Sequence, residues 1–354
     1  MAYTTIDDPL QYFNTLTYTG NGSSTHAITG VGFQPDFLWI KSRSASTRHS
    51  LQNSVAGITN FLRSNGTNAE APGAVKTADS DGFTVDDSGM VNANSETFVS
   101  WNWLAGGSAS SNSDGSVTSS VSANTTAGFS IVSYTGSGSN VTVGHGLGAV
   151  PKMIICKSRG NTDGSTSAAR SWGVYHAGIA SDAETDVITL NSQSAASDDN
   201  APWNDTAPTS SVWSMGNDDR TNLSNLTYIA YLFAEKKGYS KFGSWTGLDG
   251  VFIYTGFKPA FILGKNASNG SAYDWWIFDN KRDTFNDGTN NLLLRPNATD
   301  VEATFTFAKV DFLSNGFKIY GTDATVNGSG DTMIYMAFAE SPFVNSNGVP
   351  TNAR

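Results

Sequence analysis

The sequence predicts an all-β protein made of three tandem antiparallel β-sandwich or jelly-roll-like domains that repeat one another internally. Short runs of β-branched and aromatic residues alternate with turn-forming pairs such as Asp81-Gly82 and Asn327-Gly328. No stretch of ten or more residues has a clean 3.6-residue apolar period, which argues against long helices. Charged residues are only 15 % of the 354. Gly, Ser, Thr and Asn replace them and favour turns and strands.

An internal repeat defines the three domains. Each repeat contains a proline that begins an apolar strand, and this strand ends in lysine six residues later. Proline suits the first position of a strand because it has no N–H to donate to a neighbouring strand. An aromatic strand and then a closing strand follow in the same order in each repeat. The proline-to-lysine strands are Pro35–Lys41, Pro151–Lys157 and Pro259–Lys265, and the closing strands begin at Phe98, Tyr228 and Ile334.

The repeat spacing predicts complete domains. The prolines lie 116 and then 108 residues apart, which exceeds the 20–50 residues of a solenoid or propeller unit. The predicted sandwich domains are residues 1–106, 128–242 and 243–345, with a Ser/Gly-rich linker at 107–127 and a polar tail at 346–354. We interpret the linker as flexible, or as an arm that orders on a partner. Because no spacer separates the second and third domains, we expect those two to pack rigidly.

Residue patterns predict how the strands are covered. The proline-to-lysine strands are apolar on both faces, so we expect them to be central and buried on both sides. The closing strands alternate, with Val99, Trp101 and Trp103 on one face and Ser100 and Asn102 on the other. One face of these strands should therefore lie in a core, and the other near solvent or a neighbouring domain.

Composition excludes several classes of protein. The net charge is −10 and the pI about 4.7, which argues against nucleic acid as a partner. No apolar run approaches the roughly 18–20 residues of a membrane span, and the N-terminus has no secretory pattern, so we expect no membrane insertion. The single cysteine, Cys156, excludes intrachain disulfides and Cys-based zinc sites.

No residue pattern indicates an enzyme, a cofactor or a metal site. The repeated lysines at 41, 157 and 265 are interpreted as strand-end side chains that extend over apolar surface. No Gly-x-Ser-x-Gly elbow occurs, and the histidine spacing matches no metal motif. Paired acids in Asn/Gly/Ser-rich loops are interpreted as turn formers, with sugar cleavage and calcium binding as weaker alternatives. These acids are Asp86-Asp87, Asp198-Asp199, Asp218-Asp219 and Asp279/Asp283.

The repeats differ most in one aromatic region. The second and third repeats carry aromatic residues beside polar ones where the first has Arg48-His49-Ser50-Leu51. A flat apolar ring with nearby hydrogen-bonding groups suits a sugar, so these residues are candidate glycan contacts. The alternative is that one Trp of the adjacent pair enters the core. The candidates are Trp172, Tyr175, His176, Trp203, Tyr273, Asp274, Trp275 and Trp276.

Several long motifs resemble a poorly characterised family of virion-associated proteins that is common in tailed phages of marine bacteria. The similarity extends over nearly the whole chain. The motifs are Tyr12-Phe-Asn-Thr15, Tyr18-Thr-Gly-Asn-Gly22, Gly32-Phe-Gln-Pro-Asp-Phe-Leu-Trp-Ile-Lys41, the segment from Tyr228 to Gly243, and Ile334-Tyr-Met-Ala-Phe-Ala-Glu-Ser-Pro-Phe343. The resemblance implies a β-rich phage structural protein and supplies no catalytic residue.

Three hypotheses follow. The first is a non-catalytic virion surface protein, an appendage or fibre component that contacts other virion proteins and the host surface, where a glycan is a possible receptor. The second is a capsid or tail decoration protein that stabilises the particle. A polysaccharide-cleaving tail spike is the weakest. Virion symmetry suggests a homo-oligomer such as a ring or trimer.

Overall fold

Antiparallel strands make up nearly all of the regular structure and confirm the predicted all-β class. A computed structural model of the chain describes residues 3–161, 169–284, 286 and 291–352. Within these residues, helical structure is limited to two four-residue α-helices and the 3-10 turns Pro9–Gln11 and Ala183–Thr185. We divide the chain into segment one (9–106), segment two (107–239) and segment three (240–342).

Segment one forms a main sheet in the order β1-β9-β3-β4-β5-β6 and a small sheet in the order β2-β8-β7. Its elements are β1 Phe13–Thr19, β2 His26–Thr29, β3 Phe37–Ser42, β4 Ser50–Asn53, β5 Asn60–Leu62, β6 Ala71–Pro72, β7 Val75–Asp79, β8 Gly82–Val85, α1 Gly89–Asn92 and β9 Thr97–Trp103.

Segment two forms a main sheet in the order β10-β11-β12-β19-β14-β15-β16-β17 and a small sheet of β13 and β18. Its strands are β10 Ser110–Asn112, β11 Ser119–Asn124, β12 Phe129–Thr135, β13 Val141–Gly144, β14 Met153–Asn161, β15 Gly173–His176, β16 Asp186–Thr189, β17 Ser197–Asp198, β18 Val212–Met215 and β19 Leu226–Phe233.

Segment three forms a main sheet in the order β20-β28-β22-β23, a small sheet in the order β21-β27-β26, and a β24-β25 pair bridged to β23. Its elements are β20 Ser240–Thr246, β21 Val251–Tyr254, β22 Phe257–Asn266, β23 Trp276–Asp279, β24 Asn291–Leu293, β25 Ala303–Phe305, β26 Lys309–Leu313, β27 Gly316–Tyr320, α2 Ala324–Asn327 and β28 Thr332–Pro342.

The three main sheets pair their strands in the same order. In each segment the closing strand lies between an earlier strand and the proline-to-lysine strand, which in turn pairs with the next main-sheet strand. The closing strands with their two neighbours are β9 with β1 and β3, β19 with β12 and β14, and β28 with β20 and β22. Common descent of the segments from one repeated unit stays a prediction from the sequence.

The proline-to-lysine strands are buried on both faces, as predicted. In β3, Trp39 lies in a hydrophobic core shared by all three segments. Leu38 and Ile40 lie in a separate outer core of segment one, and segments two and three each have an outer core of their own. Each segment is therefore a sandwich whose small sheet covers the outside of its main sheet.

Aromatic rings concentrate in the shared core, where rings of different segments are in direct contact. The Phe13 and Phe338 rings stack with centroids 5.0 Å apart. The Phe37 and Tyr231 rings stack at 4.2 Å, and Phe233 meets Phe338 edge to face at 6.0 Å. Since burial of each large ring removes much apolar surface from water, the segments stabilise one another. The sequence had predicted three self-sufficient domains, and the shared core shows that the segments are not independent.

A buried asparagine fixes the loop before each closing strand. Its amide Nδ2 donates to two carbonyl oxygens, one six residues earlier and one in the loop that follows β1, β12 or β20. Its Oδ1 accepts a backbone N–H of the same loop. The Nδ2 bonds are Asn92 to Asp86 O (2.9 Å) and Ser23 O (2.8 Å), Asn222 to Gly216 O (2.9 Å) and Ser139 O (2.6 Å), and Asn327 to Gly321 O (2.7 Å) and Leu248 O (2.8 Å). These buried asparagines were not predicted from the sequence.

Two boundary predictions need correction, and the structure also places the tail. Residues 107–127 are not a plain linker, because they contain β10 and β11, which extend the main sheet of segment two. Val121 anchors them in the outer core, so the apolar residue outweighs the serine-rich composition. The third segment begins at Ser240, the first residue of β20, rather than at 243. The polar tail is docked as far as Thr351, whose N–H donates to the Phe343 carbonyl.

Candidate functional site

The aromatic residues predicted to contact a ligand lie mostly inside the protein. Tyr273 and Asp274 are half-buried. The other six are at most 5 % exposed: Trp172, Tyr175, His176, Trp203, Trp275 and Trp276. A sugar platform needs an accessible ring face, so the structure does not offer these six as a glycan site. The reason is that the rings enter hydrophobic cores: Trp172 and Trp275 the shared core, Tyr175 and Trp203 the outer core of segment two, and Trp276 that of segment three.

The residue just before β4, β15 and β23, the strand that pairs with the outer edge of each proline-to-lysine strand, instead bonds across a segment boundary. Each uses a ring nitrogen to reach a backbone carbonyl oxygen of a neighbouring segment. The three contacts are Trp172 Nε1 to Arg63 O at 2.9 Å, Trp275 Nε1 to Thr189 O at 3.1 Å and His49 Nε2 to Arg295 O at 3.0 Å. They run from segment two to one, from three to two and from one to three. The contacts therefore close a cycle.

The last residues of β4, β15 and β23 make a second cycle in the opposite sense. Each of these side chains meets the closing strand of the next segment. The contacts are Asn53 Nδ2 to the Tyr231 hydroxyl at 3.1 Å, His176 Nε2 to the Tyr335 carbonyl at 2.9 Å, and Asp279 Oδ2 accepting from Trp101 Nε1 at 3.0 Å. Burial lowers the pKa of His176 to about 4, so this ring is neutral and serves as a structural bond.

Backbone hydrogen bonds and ion pairs also follow the boundaries. The backbone bonds are Glu70 N–H to Arg159 O at 2.7 Å, Ala196 N–H to Ala267 O at 2.8 Å and Glu302 N–H to Arg43 O at 2.8 Å. At two boundaries the same residues form half-buried ion pairs, Arg159–Glu70 at 2.8 Å and Arg43–Glu302 at 2.7 Å. At the third boundary both positions are alanine.

The three repeated lysines are buried at the same boundaries. Lys157 Nζ donates to the carbonyl of Thr67 in segment one at 3.2 Å, and Lys265 Nζ donates to the carbonyl of Gln193 in segment two at 2.9 Å. Lys41 Nζ donates to the nearby Ser42 carbonyl at 2.7 Å. Burial lowers their pKa values to about 7 for Lys157 and about 8 for the other two. They cap carbonyl oxygens inside the protein instead of extending over its surface.

The remaining aromatic candidates have structural partners. The Tyr175 and Trp203 rings meet edge to face at 5.9 Å inside the outer core of segment two. Trp203 Nε1 donates to the Asp186 carbonyl at 3.0 Å. Asp274 pairs with Arg295 at 3.1 Å. The Tyr273 carbonyl accepts from the Lys265 ammonium at 2.5 Å. Across the boundary, the Tyr273 N–H donates to the Gln193 carbonyl of segment two at 3.1 Å, and Gln193 Nε2 donates to Asp274 Oδ1 at 2.8 Å.

At least one member of each predicted acid pair is engaged by a neighbouring group. Asp199 and Asp218 both pair with Arg220, and Asp279 is enclosed with Arg282 at 2.5 Å. Asp86 accepts backbone N–H groups of Ala74 and Ser88, each at 2.8 Å, as expected of a turn former. Among the residues that the structure describes, no group of three or more His, Cys, Asp or Glu side chains is placed to hold a metal ion.

An exposed face that the sequence analysis missed lies on the small sheet of segment three. We name it the aromatic–lysine face. Phe252 and Tyr254 of β21 are 44 % and 53 % exposed, and the other members are half-buried. Its residues are Phe252, Tyr254, Lys309, Lys318 and Tyr320. The signal was present in the alternation of Val251-Phe-Ile-Tyr254, where Ile253 enters the outer core and the aromatic rings take the opposite face.

Lysine ammonium groups lie against one ring of this face. Lys318 Nζ is 4.7 Å and Lys309 Nζ 5.0 Å from the centre of the Tyr320 ring, within the range of a cation–π contact. Lys318 also lies directly opposite Phe252 in the β21–β27 pairing. The face therefore combines accessible rings with cationic groups.

Comparisons with known proteins place the chain in a family. No helix in the described parts of the chain is long and apolar enough to cross a membrane. Neither the curated proteins nor the solved structures contain a match to this chain. Residues 8–342 match a family described as a domain of unknown function, DUF7483. The match covers all three segments, so the family unit is the whole assembly, and the chain belongs to the DUF7483 family.

Proposed function

We propose that this protein is a non-catalytic structural protein on the surface of a phage particle, where it attaches to other virion proteins and contacts the host surface. The observation that carries the proposal is the cyclic set of contacts among three similar sandwiches. Such an arrangement gives one chain an approximate threefold symmetry. Phage particles are built from symmetric rings and trimers, and an approximately threefold block matches a threefold position.

The chemistry of the interior supports a structural role. Buried histidines, lysines and tryptophans are bonded to backbone carbonyls at the segment boundaries. These bonds join the segments into one block. A rigid block suits a particle component that carries a binding face without changing shape.

The closed cycle also bears on the expected homo-oligomer. In a trimer, each copy covers an edge of the next copy. Here the three segments already do this within one chain of 37.5 kDa. We therefore propose that one chain occupies each threefold position and that the purified protein is a monomer.

A decoration protein that stabilises the capsid or tail is the second candidate, since a compact block also suits that role. The aromatic–lysine face favours the attachment role, because segment three alone carries it and a decoration contact repeated by symmetry would use all three segments. The cleaving spike is the weakest of the three, because three of the acids considered for it, Asp199, Asp218 and Asp279, are paired with arginine.

Labelling of intact particles tests the proposal. Purified virions of a phage that encodes this chain are treated with gold-conjugated antibody against it and imaged by electron microscopy. Label at the tail tip or fibres supports the attachment role. Label over the capsid or along the tail tube would replace it with the decoration role. Unlabelled particles, together with absence of the chain from the virion by mass spectrometry, would overturn both.

A further inference from the structure

We propose that the aromatic–lysine face of segment three binds an acidic polysaccharide. The rings would stack on the apolar faces of the sugars, and the lysines would contact the carboxylates. This inference deepens the proposed attachment role, on which it rests, by naming a ligand class and a surface.

The strongest argument is the difference between segments at matched positions. Strand β21 pairs with β27 in the same register as β2 pairs with β8 and β13 with β18, so positions can be matched between segments. The residues matched to Phe252 are Ala27 and Thr142, and those matched to Tyr254 are Thr29 and Gly144. The sandwich therefore forms without an aromatic residue here, so the sandwich itself does not require these exposed rings. The Tyr254 hydroxyl lies 3.0 Å from the Tyr3 hydroxyl, and this contact leaves Tyr254 53 % exposed.

Glycine contacts support the same conclusion. A Cβ at Gly316 would lie 2.1 Å from the Ile253 carbonyl and 3.0 Å from Phe252 Cε2, so the Phe252 ring lies over this glycine. The matched Gly82 has an equally close carbonyl, Ile28 O at 2.0 Å from an added Cβ, and no aromatic cover. Phe252 is therefore not needed to cover Gly316.

The spacing of the rings suits an extended chain ligand. Residues two apart on one face of a strand are separated by roughly 7 Å, and neighbouring strands by about 5 Å. Phe252 and Tyr254 therefore form a row, with Lys318 beside Phe252 and no side chain on Gly316 beside Tyr254. A polysaccharide crossing the row meets two rings in succession.

Charge selects an acidic ligand over a neutral one. Lys318 stands where segments one and two have Thr84 and Ser214. Lys309 pairs with Asp311 at 3.1 Å, and Asp311 lies opposite Lys318 in the strand pairing, so the face has two cations and one anion. A net positive face on a chain of net charge −10 is a local site for a polyanion.

The test measures binding of purified protein to polygalacturonate, with dextran as the neutral polymer, by affinity electrophoresis and calorimetry. The wild type should bind polygalacturonate, more weakly at high salt, and leave dextran unbound. The double variant F252A/Y254T, which installs the residues of segment one, should lose about tenfold or more in affinity. Lys318→Thr should weaken binding and reduce its salt dependence.

Lys76→Thr is the matched control, since Lys76 is an exposed lysine on the small sheet of segment one, and it should bind as the wild type does. Circular dichroism spectra confirm that each variant is folded. No binding to polygalacturonate, equal binding to dextran, or unchanged affinity of F252A/Y254T would overturn the inference. Particle labelling is independent of these results, so failure of binding and failure of the attachment role are separable.

Discussion

At the scale of single residues, the buried rings at the segment boundaries act through hydrogen bonds and packing. Trp275 is 1 % exposed and donates to the Thr189 carbonyl. Its residue type and neighbours were visible in the sequence, but its direction was not, because a strand with a core on each side has no polar face to orient it. The sequence therefore identified an important position and left open whether its ring was exposed or in the core; the structure places it in the core.

Trp275→Ala should destabilise the protein by about 3–5 kcal/mol, because it empties a large buried site. Phe252→Ala should change the free energy of unfolding by less than about 1 kcal/mol, since the ring is 44 % exposed. Urea unfolding of both variants measures this contrast. A Trp275→Ala protein of wild-type stability would contradict the structure and restore the idea of an accessible ring.

The buried lysines should make stability depend on pH. Burial lowers the pKa of Lys157 from 10.5 to about 7, so between these values the unfolded chain binds more protons than the folded one. The free energy of unfolding therefore rises as pH increases from 7 towards 10. This rise in stability ends where tyrosines of the unfolded chain begin to ionise. Because burial raises the pKa values of folded tyrosines such as Tyr231, the free energy of unfolding falls as pH increases further.

Lys157→Met should flatten this rise, and Lys76→Met, at an exposed lysine, should leave it unchanged. The measurement is urea unfolding of each protein at pH 7, 8 and 9. The slope with pH is the readout, because the loss of the Thr67 and Ser158 carbonyl contacts shifts the absolute stability. A slope unaltered by Lys157→Met would show that this lysine is not desolvated.

At the scale of elements, the buried asparagines before the closing strands fix corresponding loops in all three segments. Each amide bonds to the carbonyl six residues earlier. Alanine at Asn92, Asn222 or Asn327 should each destabilise the protein by about 1–3 kcal/mol, because carbonyl and N–H groups lose their partners. Asn347→Ala, at an exposed asparagine, is the control for urea unfolding. Unequal losses, with one near zero, would argue against equivalent loops.

The boundary ion pairs should couple more strongly than a surface pair. Arg159 and Glu70 side chains are 20 % and 14 % exposed, whereas Lys241 and Glu235 are 34 % and 31 % exposed. A double-mutant cycle to alanine, the residue that the third boundary has naturally, should give a coupling of about 1–2 kcal/mol for Arg159–Glu70. The Lys241–Glu235 cycle should give less than about 1 kcal/mol. Equal couplings would contradict the difference in burial.

Strands were more predictable than their surroundings. The proline-to-lysine strands and closing strands lie close to where the sequence placed them, because their apolar runs are long and bounded by turns. Pro259 departs from the pattern, since it lies inside β22 at a register shift rather than ahead of the strand, as Pro35 and Pro151 do. Strands β10 and β11 were missed because serine-rich composition hides a two-residue apolar pattern.

At the scale of the whole molecule, the shared core was not predictable from the sequence. A continuous apolar run shows that a strand has two apolar faces, but not whether the second face meets its own domain or a neighbour. Here Trp39, Ile155 and Leu263 all enter one core, which makes the segments interdependent. The aromatic–lysine face was also missed, since the notable aromatic residues of the sequence were the buried ones.

Calorimetric unfolding of the full chain tests the central claim, that three sandwiches form one unit around a shared core. We expect a single transition whose calorimetric enthalpy equals its van't Hoff enthalpy, because loss of one segment exposes the core of the other two. Two or three resolved transitions, or a calorimetric enthalpy that is a multiple of the van't Hoff value, would show independent domains and contradict the account.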